Sequence, residues 1–316
     1  MTITRSEDKM KNRKYLFGLL STILSVGFLF GCNDKKDEAE PDSTEEPSEQ
    51  KVENNGINSS PRNVGYEADK DWNNQKEVDA DTPDLKGGPE HLVREPHPLS
   101  LADLRKKYSH TFLLNGDRAK REVALTFDDG PDDKFTPQVL DALKKAGVKA
   151  TFCVVGNRVK AHPDILKRMI KEGHAIANHS YSHPNFPKLK IEEFRKEIVN
   201  TDHIIHKVSG YNTSIVRPPY GSINEEEIKW LAHKNKKIVN WDVDSLDWKG
   251  LSAEQVSTNI LAQVKPGSII LQHSAGGEGE DLSGSVKALP EIINKLKGDG
   301  VKFVTIPHML GIPVNK

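Results

Sequence analysis

Short apolar segments alternate with longer amphipathic segments from Glu122 to the end of the chain, and this alternation limits the possible folds more than any other feature. Continuous apolar runs are typical of buried strands, whereas apolar residues at a helical spacing predict helices. Strands are predicted at Val123–Phe127, Ala150–Val155, Ala175–Ala177, Ser214–Val216, Lys237–Trp241, Ser268–Leu271 and Val301–Thr305. Helices are predicted at Thr136–Ala146, Pro163–Glu172, Ile191–Val208, Glu225–Lys234, Ala253–Val264 and Val286–Lys297. Strands that alternate with helices indicate a parallel sheet with right-handed crossovers.

The number of strand–helix units indicates which α/β fold this is. Seven predicted strands fit a distorted (β/α)7-type barrel, which we place at residues 121–312. A nucleotide-binding fold fits less well, because no Gly-x-Gly-x-x-Gly motif follows the first strand. Residues 64–120 contain one predicted helix, Ser100 to Tyr108, and we expect this extension to be partly ordered against the barrel.

Polar side chains follow five of the predicted strands, at the ends where barrel enzymes have their active sites. They are Asp128 and Asp129, His179 and His183, Arg217 to Gly221, Asp244 to Trp248, and His273. Each cluster alone has an ordinary explanation, such as a turn, a solvated helix face or a structural ion pair. Five clusters at the same ends of successive strands predict an active site.

Two imidazoles and one carboxylate are sufficient to hold a divalent metal and leave coordination positions open. A second carboxylate beside them could serve as a base that activates water. The residues therefore indicate a metallohydrolase. The same ligand types also form the iron site of some oxygenases, but nothing in the sequence suggests a pocket for an oxidisable co-substrate.

These clusters resemble the five motifs of a known family, the NodB-homology polysaccharide deacetylases of carbohydrate esterase family 4. The resemblance covers roughly Arg121 to Ile312 and includes all five motifs in order. They are Thr126–Pro131, His179–His183, Arg217–Gly221, Asp244–Trp248 and Leu271–His273. One departure is Ser274 after the last motif, where many members have Asp; this position is not a catalytic one.

The resemblance implies a single metal held by Asp129, His179 and His183. Zinc is the expected ion for two imidazoles and one carboxylate, although cobalt or another divalent ion could replace it. Asp128 would be the general base that deprotonates the attacking water, and Arg217 would pair with it.

The resemblance also assigns the remaining motif residues. The backbone N–H of Tyr220, after Pro219, would stabilise the oxyanion that forms when an acetamide is attacked. His273, oriented by Asp247, would be the general acid that protonates the leaving amine. Trp248 and Leu271 would form the apolar wall around the acetyl methyl group, and Pro219 would be a further substrate-binding residue.

The N-terminal residues 1–32 predict export. Basic residues at 11, 13 and 14 precede an apolar run from Tyr15 to Gly31, as in a signal peptide. The ending Leu29-Phe30-Gly31-Cys32 resembles a bacterial lipobox, which would make Cys32 the lipidated residue of a lipoprotein. An uncleaved transmembrane anchor is the alternative, because about 17 apolar residues can just span a bilayer. Translation could start at Met1 or at Met10.

A spacer follows at residues 33–63, with nine acidic and four basic side chains and almost no large apolar ones. Such a composition cannot form a core, so we expect a disordered acidic linker with a reach of about 30 Å. The net charge of the whole chain is −1, which does not predict nucleic-acid binding. We expect a monomer, tethered to the outer face of the bacterial cell membrane.

Together these features predict a membrane-tethered enzyme that removes N-acetyl groups from a cell-surface glycan. Peptidoglycan N-acetylglucosamine is the expected substrate, because the tether holds the enzyme near the membrane and the Asp-Asp-Gly-Pro motif resembles the N-acetylglucosamine group of the family. The alternatives are an O-acetyl esterase of acetylated glycans and a catalytically silent glycan-binding wall protein.

Overall fold

A parallel sheet forms the centre of the fold in the computed structural model, which describes residues 82–90 and 99–313. Within these residues it has nine strands: β1 Phe112–Leu113, β2 Glu122–Asp128, β3 Thr151–Val154, β4 Ala175–Asn178, β5 Ile215–Val216, β6 Lys237–Val239, β7 Val243–Asp244, β8 Ile269–His273 and β9 Lys302–Phe303. The strand order is β1-β6-β5-β4-β3-β2-β8-β7, and β9 pairs with the first residues of β2. An isolated bridge between Asn115, after edge strand β1, and Ser268, before β8, links one edge of the sheet to the strand next to the opposite edge, so that the sheet curls.

Helices connect most of the consecutive strands, because parallel neighbours need a crossover connection. They are α1 Leu99–Lys107, α2 Thr136–Ala146, α3 Gly156–Ala161, α4 Pro163–Lys171, α5 Ile191–Ser209, α6 Glu225–His233, α7 Ala253–Gln263, α8 Ser283–Gly298 and α9 Ile306–Leu310. Several ends follow from local chemistry. Helix α2 has Pro137 in its first turn and ends at Gly147 in the left-handed conformation, with φ of 63°. Asn224 caps α6 by accepting a hydrogen bond from the backbone N–H of Glu227.

The main hydrophobic core lies between the sheet and its helices. Phe127 of β2 stacks on Phe152 of β3 with 5.3 Å between ring centroids, and Leu140 of α2 and Leu166 of α4 are fully buried in the same cluster. Burial of each such side chain contributes about 1.5–3 kcal/mol. This core holds the carboxyl ends of the central strands in fixed positions, which is what an active site built on them requires.

The predicted α/β barrel architecture is confirmed, but the number of strands is larger than seven. The two additional strands are β1 and β7, each of two residues, which were not predicted and which pair with strands distant in the sequence. Strand β8 runs to His273, two residues beyond its predicted end. The predicted barrel boundary at Arg121 also falls inside the fold, because β1 is hydrogen-bonded into the sheet.

Two described parts of the N-terminal extension contact the barrel. In the first, Leu101 of α1 is buried in a hydrophobic cluster with residues of α5 and α6, and Tyr108 donates a hydrogen bond to Glu225. The second part, residues 82–90, lies at the candidate active site. The predicted signal or anchor, Cys32 and the acidic linker lie outside the described residues and stay predictions. Within the described residues, no helix is long and apolar enough to cross a membrane.

Candidate active site

The carboxyl ends of the central strands bring the five predicted motifs together. Asp129 follows β2, His179 follows β4, and Arg217 follows β5. Asp247 lies in a short 3-10 turn after β7, and His273 is the last residue of β8. Strands β2 and β8 are adjacent, and Asp128 pairs in register with His273. The fold thus brings together residues that are far apart in the sequence.

Strained backbone is concentrated in these motifs. Six non-glycine residues of the described chain have positive φ, and only Asn235 lies outside the motif segments. The other five are Asp129, Ser180, His183, Tyr220 and Leu246. Left-handed conformations of such residues cost about 1–3 kcal/mol each and persist where the surroundings hold them. Their concentration at one end of the barrel marks that end as the functional one.

The three predicted metal ligands form one buried cluster. Oδ1 of Asp129 lies 3.3 Å from Nε2 of His179 and 3.2 Å from Nε2 of His183. One ligand atom from each residue falls within 4.8 Å of the others. These separations suit three ligands around one small divalent ion, with bonds of about 2.0–2.2 Å.

Hydrogen bonds on the far side of each imidazole set the tautomer that a metal site needs. Nδ1 of His179 donates to the backbone carbonyl of Arg217 at 2.7 Å, which leaves Nε2 free to ligate. Nδ1 of His183 lies 3.1 Å from the phenol oxygen of Tyr220, which itself donates to the carbonyl of Gly88. The phenol oxygen therefore accepts the proton of His183, and Nε2 of this imidazole also faces Asp129.

The polar atoms at the centre of the cluster fit a cation. Both carboxylate oxygens of Asp129 and Nε2 of His183 are buried and have no hydrogen-bond partner of good geometry. Burial alone would raise the pKa of Asp129, but the imidazoles of His183 and His179 lower it below its usual range. Burial lowers the pKa of His183 to about 3, so it is neutral, as a ligand must be. A buried carboxylate between two imidazoles suits a divalent metal.

Asp128 is held beside the cluster by a buried arginine. Nη1 of Arg217 donates to Oδ1 of Asp128 and to the hydroxyl of Thr126, both at 2.7 Å. The same guanidinium also donates to the backbone carbonyl of Val239. The other carboxylate oxygen of Asp128 lies 3.7 Å from Nε2 of His179. This carboxylate is therefore fixed in orientation, with one oxygen turned toward the ligand cluster.

His273 and Asp247 form a second buried pair. Oδ1 of Asp247 accepts a hydrogen bond from Nδ1 of His273 at 2.7 Å, and Oδ2 accepts one from its backbone N–H at 2.8 Å. Burial alone would lower the pKa of His273, but the carboxylate of Asp247 raises it well above its usual range. The shift favours the protonated imidazole of His273, which is the form able to give up a proton.

The remaining predicted site residues also lie at this edge. Pro219 and Tyr220 occupy a buried 3-10 turn, and Trp248 lies in the turn that contains Asp247. Leu271 is buried on β8, two residues before His273, and therefore on the same face of the strand. The roles assigned to these four residues in binding substrate or the oxyanion stay predictions.

Several residues that support the site were not singled out in the sequence. Both carboxylate oxygens of Glu197 hold the second motif: they accept hydrogen bonds from the backbone N–H groups of Tyr181 and Ser182 and from the Ser182 hydroxyl. Arg158, which is 1% exposed, donates to the backbone carbonyl of Asp129 and to two other loops. Neither residue lies in one of the five motifs, so the sequence offered no signal for them.

Comparisons with known proteins agree with this geometry. The family described as polysaccharide deacetylase matches residues 115–238. A peptidoglycan-N-acetylglucosamine deacetylase of Bacillus cereus is 49% identical over 204 residues, which are 65% of this chain and 73% of that protein. The chain belongs to the polysaccharide deacetylase family. A peptidoglycan-N-acetylmuramic acid deacetylase of Bacillus subtilis is 40% identical over 193 residues, but these are only 39% of that longer protein.

Solved structures of the family have the same fold. The crystal structure of a peptidoglycan N-acetylglucosamine deacetylase is 45% identical, with a TM-score of 0.65, and the match covers 70% of this chain and all of that chain. A structure described as a CE4 family pseudoenzyme from Bacillus anthracis is 29% identical, with a TM-score of 0.60 over 66% of this chain and 71% of that one. The family therefore includes both enzymes and an inactive member.

Proposed function

We propose that this protein removes the N-acetyl group from N-acetylglucosamine residues of peptidoglycan and releases acetate. The observation that carries the proposal is the convergence of Asp129, His179 and His183 on one buried point. Beside the cluster, Arg217 holds the carboxylate of Asp128, and on the adjacent strand Asp247 holds the imidazole of His273. The choice of substrate rests on the relative with 49% identity, a peptidoglycan-N-acetylglucosamine deacetylase.

The metal we propose is Zn²⁺, since two imidazoles and one carboxylate are the ligand types of catalytic zinc sites. When bound, it would polarise the amide carbonyl and make water a better nucleophile. Co²⁺ could bind to the same three ligands.

The chain's own residues would carry the proton transfers. Asp128, held by Arg217 at 2.7 Å, would accept a proton from water as it attacks the carbonyl carbon. His273 would donate a proton to the amine nitrogen, which cannot leave as an anion. Asp128 and His273 pair in register on adjacent strands, so the proposed base and the proposed acid lie next to each other at the carboxyl ends of these strands. The backbone N–H of Tyr220 would stabilise the oxyanion.

We also propose an extracytoplasmic location, tethered by a lipid on Cys32. The support is the basic and apolar pattern before Cys32 and the acidic composition of residues 33–63, which suits a spacer. An uncleaved N-terminal helix would give the same location. Palmitate labelling of the protein in its bacterial host, with Cys32→Ala as the control, separates the two anchors.

Acetate release is the direct test of the function. The purified protein with added Zn²⁺ should release acetate from peptidoglycan and from N-acetylglucosamine oligomers, and a chelator should stop the reaction. Mass spectrometry of digested cell wall should then find glucosamine where untreated wall has N-acetylglucosamine. Loss of acetyl groups from muramic acid only would move the assignment to the other sugar.

Two alternatives have separate signatures. An O-acetyl esterase would cleave acetylated xylan and leave N-acetylglucosamine oligomers intact. The inactive Bacillus anthracis relative is the observation that favours a glycan-binding protein without activity. Such a protein would bind oligomers in the presence of metal and release no acetate from any acetylated glycan.

A further inference from the structure

Residues 82–90, the N-terminal strap, lie across the catalytic end of the barrel. The backbone N–H of Lys86 donates to the carbonyl of Ser182 at 2.8 Å, and that of Gly87 donates to the carbonyl of His183 at 3.0 Å. The carbonyl of Gly88 accepts from the phenol of Tyr220, the same group that holds His183. The strap therefore contacts the second and third motifs directly.

The other side of the strap is held by Arg158 and by the loop after β8. Arg158 donates to the carbonyl of Pro83 at 3.0 Å, to that of Gly276 at 2.7 Å and to that of Asp129 at 3.1 Å. The carboxylate of Asp84 accepts from the backbone N–H of Glu278. One buried guanidinium thus joins the strap, the loop and the backbone of a metal-ligand residue.

The strap places a carboxylate against the ligand cluster. Glu90 is 4% exposed, and its Oε1 lies 4.0 Å from Nε2 of His183, the atom that would bind metal. Leu85, near the middle of the strap, is also buried, at 3% exposure. With the strap in place, each metal ligand, Asp128 and His273 are all at most 2% exposed. Burial at this level leaves little of these side chains open to a glycan strand.

We propose that the N-terminal strap is an intramolecular inhibitor that occupies the glycan groove and must be displaced before a polysaccharide can bind. This inference rests on the proposed function, because the strap and the glycan would compete for one groove. The strap follows directly on residues 1–81, which carry the predicted tether and spacer. Because the strap would be displaced and not cleaved off, the inhibition would be reversible.

Gly87 offers a way to displace the strap in the full-length protein. A Cβ atom at this position would lie 2.2 Å from the Tyr220 hydroxyl and 2.6 Å from the carbonyl of His183. The strap of the Gly87→Val variant therefore cannot keep its position. Leu85→Ala is a second, independent variant, which loses the buried leucine side chain. Lys86→Ala is the matched control, because its side chain is exposed and its bond to Ser182 uses backbone only.

Two of the measurements do not depend on deacetylase activity. Gly87→Val and Leu85→Ala should speed the loss of bound Zn²⁺ to a chelator, and Lys86→Ala should not. Trypsin should cleave after Lys86 slowly in the wild type and faster in Gly87→Val. Added N-acetylglucosamine oligomer should also speed this cleavage in the wild type, since it would compete with the strap. Unchanged rates in both displaced variants would overturn the proposal.

Measurements of deacetylase activity distinguish a strap that inhibits the enzyme from a strap that forms part of the glycan-binding groove. We expect Gly87→Val to lower KM for N-acetylglucosamine oligomers about tenfold, as removal of a competing closed state does. A variant that exposes the metal yet loses activity would show that the strap helps to bind glycan, which overturns inhibition. If no protein releases acetate while metal loss and cleavage respond as expected, the strap covers the site and the proposed reaction is wrong.

Discussion

Replacing Asp247 by Asn tests whether His273 acts as the general acid. The wild-type carboxylate makes two hydrogen bonds to His273, at 2.7 and 2.8 Å, in a site where both side chains are buried. Asn keeps the shape and removes the charge. Hydrogen bonds to a charged group contribute about 1.5–3 kcal/mol, which corresponds to a fall of about 1–2 units in the pKa of His273.

The expected result is a shift in the pH dependence of kcat/KM. A general acid must be protonated, so activity falls as pH rises through its pKa. The raised pKa of His273 moves this alkaline limb of the wild type above that of an ordinary histidine. In Asp247→Asn the limb should move down by about 1–2 pH units, with a loss of about 10- to 100-fold above the new limb and a smaller loss at acidic pH.

The assay is acetate release from an N-acetylglucosamine oligomer between about pH 5 and pH 10. Asp244→Asn is the matched control, because Asp244 lies in the same segment and accepts a hydrogen bond from the backbone N–H of Leu246. It should leave the alkaline limb where it is. A uniform loss in Asp247→Asn at every pH, with the limb in place, would refute the role of His273 as the acid.

Three further predictions concern the metal, the pH dependence of stability and the core. Asp128→Asn should abolish turnover and still retain about one equivalent of Zn²⁺, measured by atomic emission. Asp129→Asn should weaken the affinity for metal by more than the roughly 10- to 100-fold that is typical of losing an outer-shell partner. The reverse pattern would mean that the roles of the two carboxylates are exchanged. Burial raises the pKa of Glu227 from 4.5 to about 7. Because the folded state then binds the proton more tightly than the unfolded state, the Glu227 contribution to stability declines between about pH 4.5 and pH 7. The unfolding free energy of Glu227→Gln in urea, relative to that of the wild type, should therefore be about 3 kcal/mol higher at pH 8 than at pH 4. An equal difference at both pH values would contradict the raised pKa. Phe152→Ala should cost about 3–5 kcal/mol in the same assay, because the ring is fully buried against Phe127; a cost below 1 kcal/mol would mean that this core is loosely packed.

Sequence patterns predicted the long elements well and the short ones poorly. Helix α2 has the predicted bounds, because Pro137 and Gly147 punctuate its two ends. Strands β1 and β7 were not predicted, and each is defined by its pairing with a strand that is distant in the sequence. Helix α3, Gly156–Ala161, is too short for an amphipathic pattern to emerge. Elements defined by local chemistry are readable from sequence, and elements defined by distant contacts are not.

The sequence by itself determined which chemical groups are available. Two carboxylates, two imidazoles, an arginine and an Asp–His pair, each at the end of a strand, already specified a metal-dependent hydrolase. The predicted ligand residues Asp129, His179 and His183 lie together in the structure. The residue types suffice because metal ligation and proton transfer depend on side chains that cannot be exchanged freely.

Only the tertiary structure decided how those groups are held and how they are covered. The phenol of Tyr220 orients His183, Arg158 joins three backbone segments, and residues 82–90 lie over the ligand cluster. Each of these contacts links positions 29 or more residues apart, such as Arg158 and Asp129, or Tyr220 and Gly88. Sequence spacing carries no information on such contacts, because they arise only when the sheet and its loops have packed.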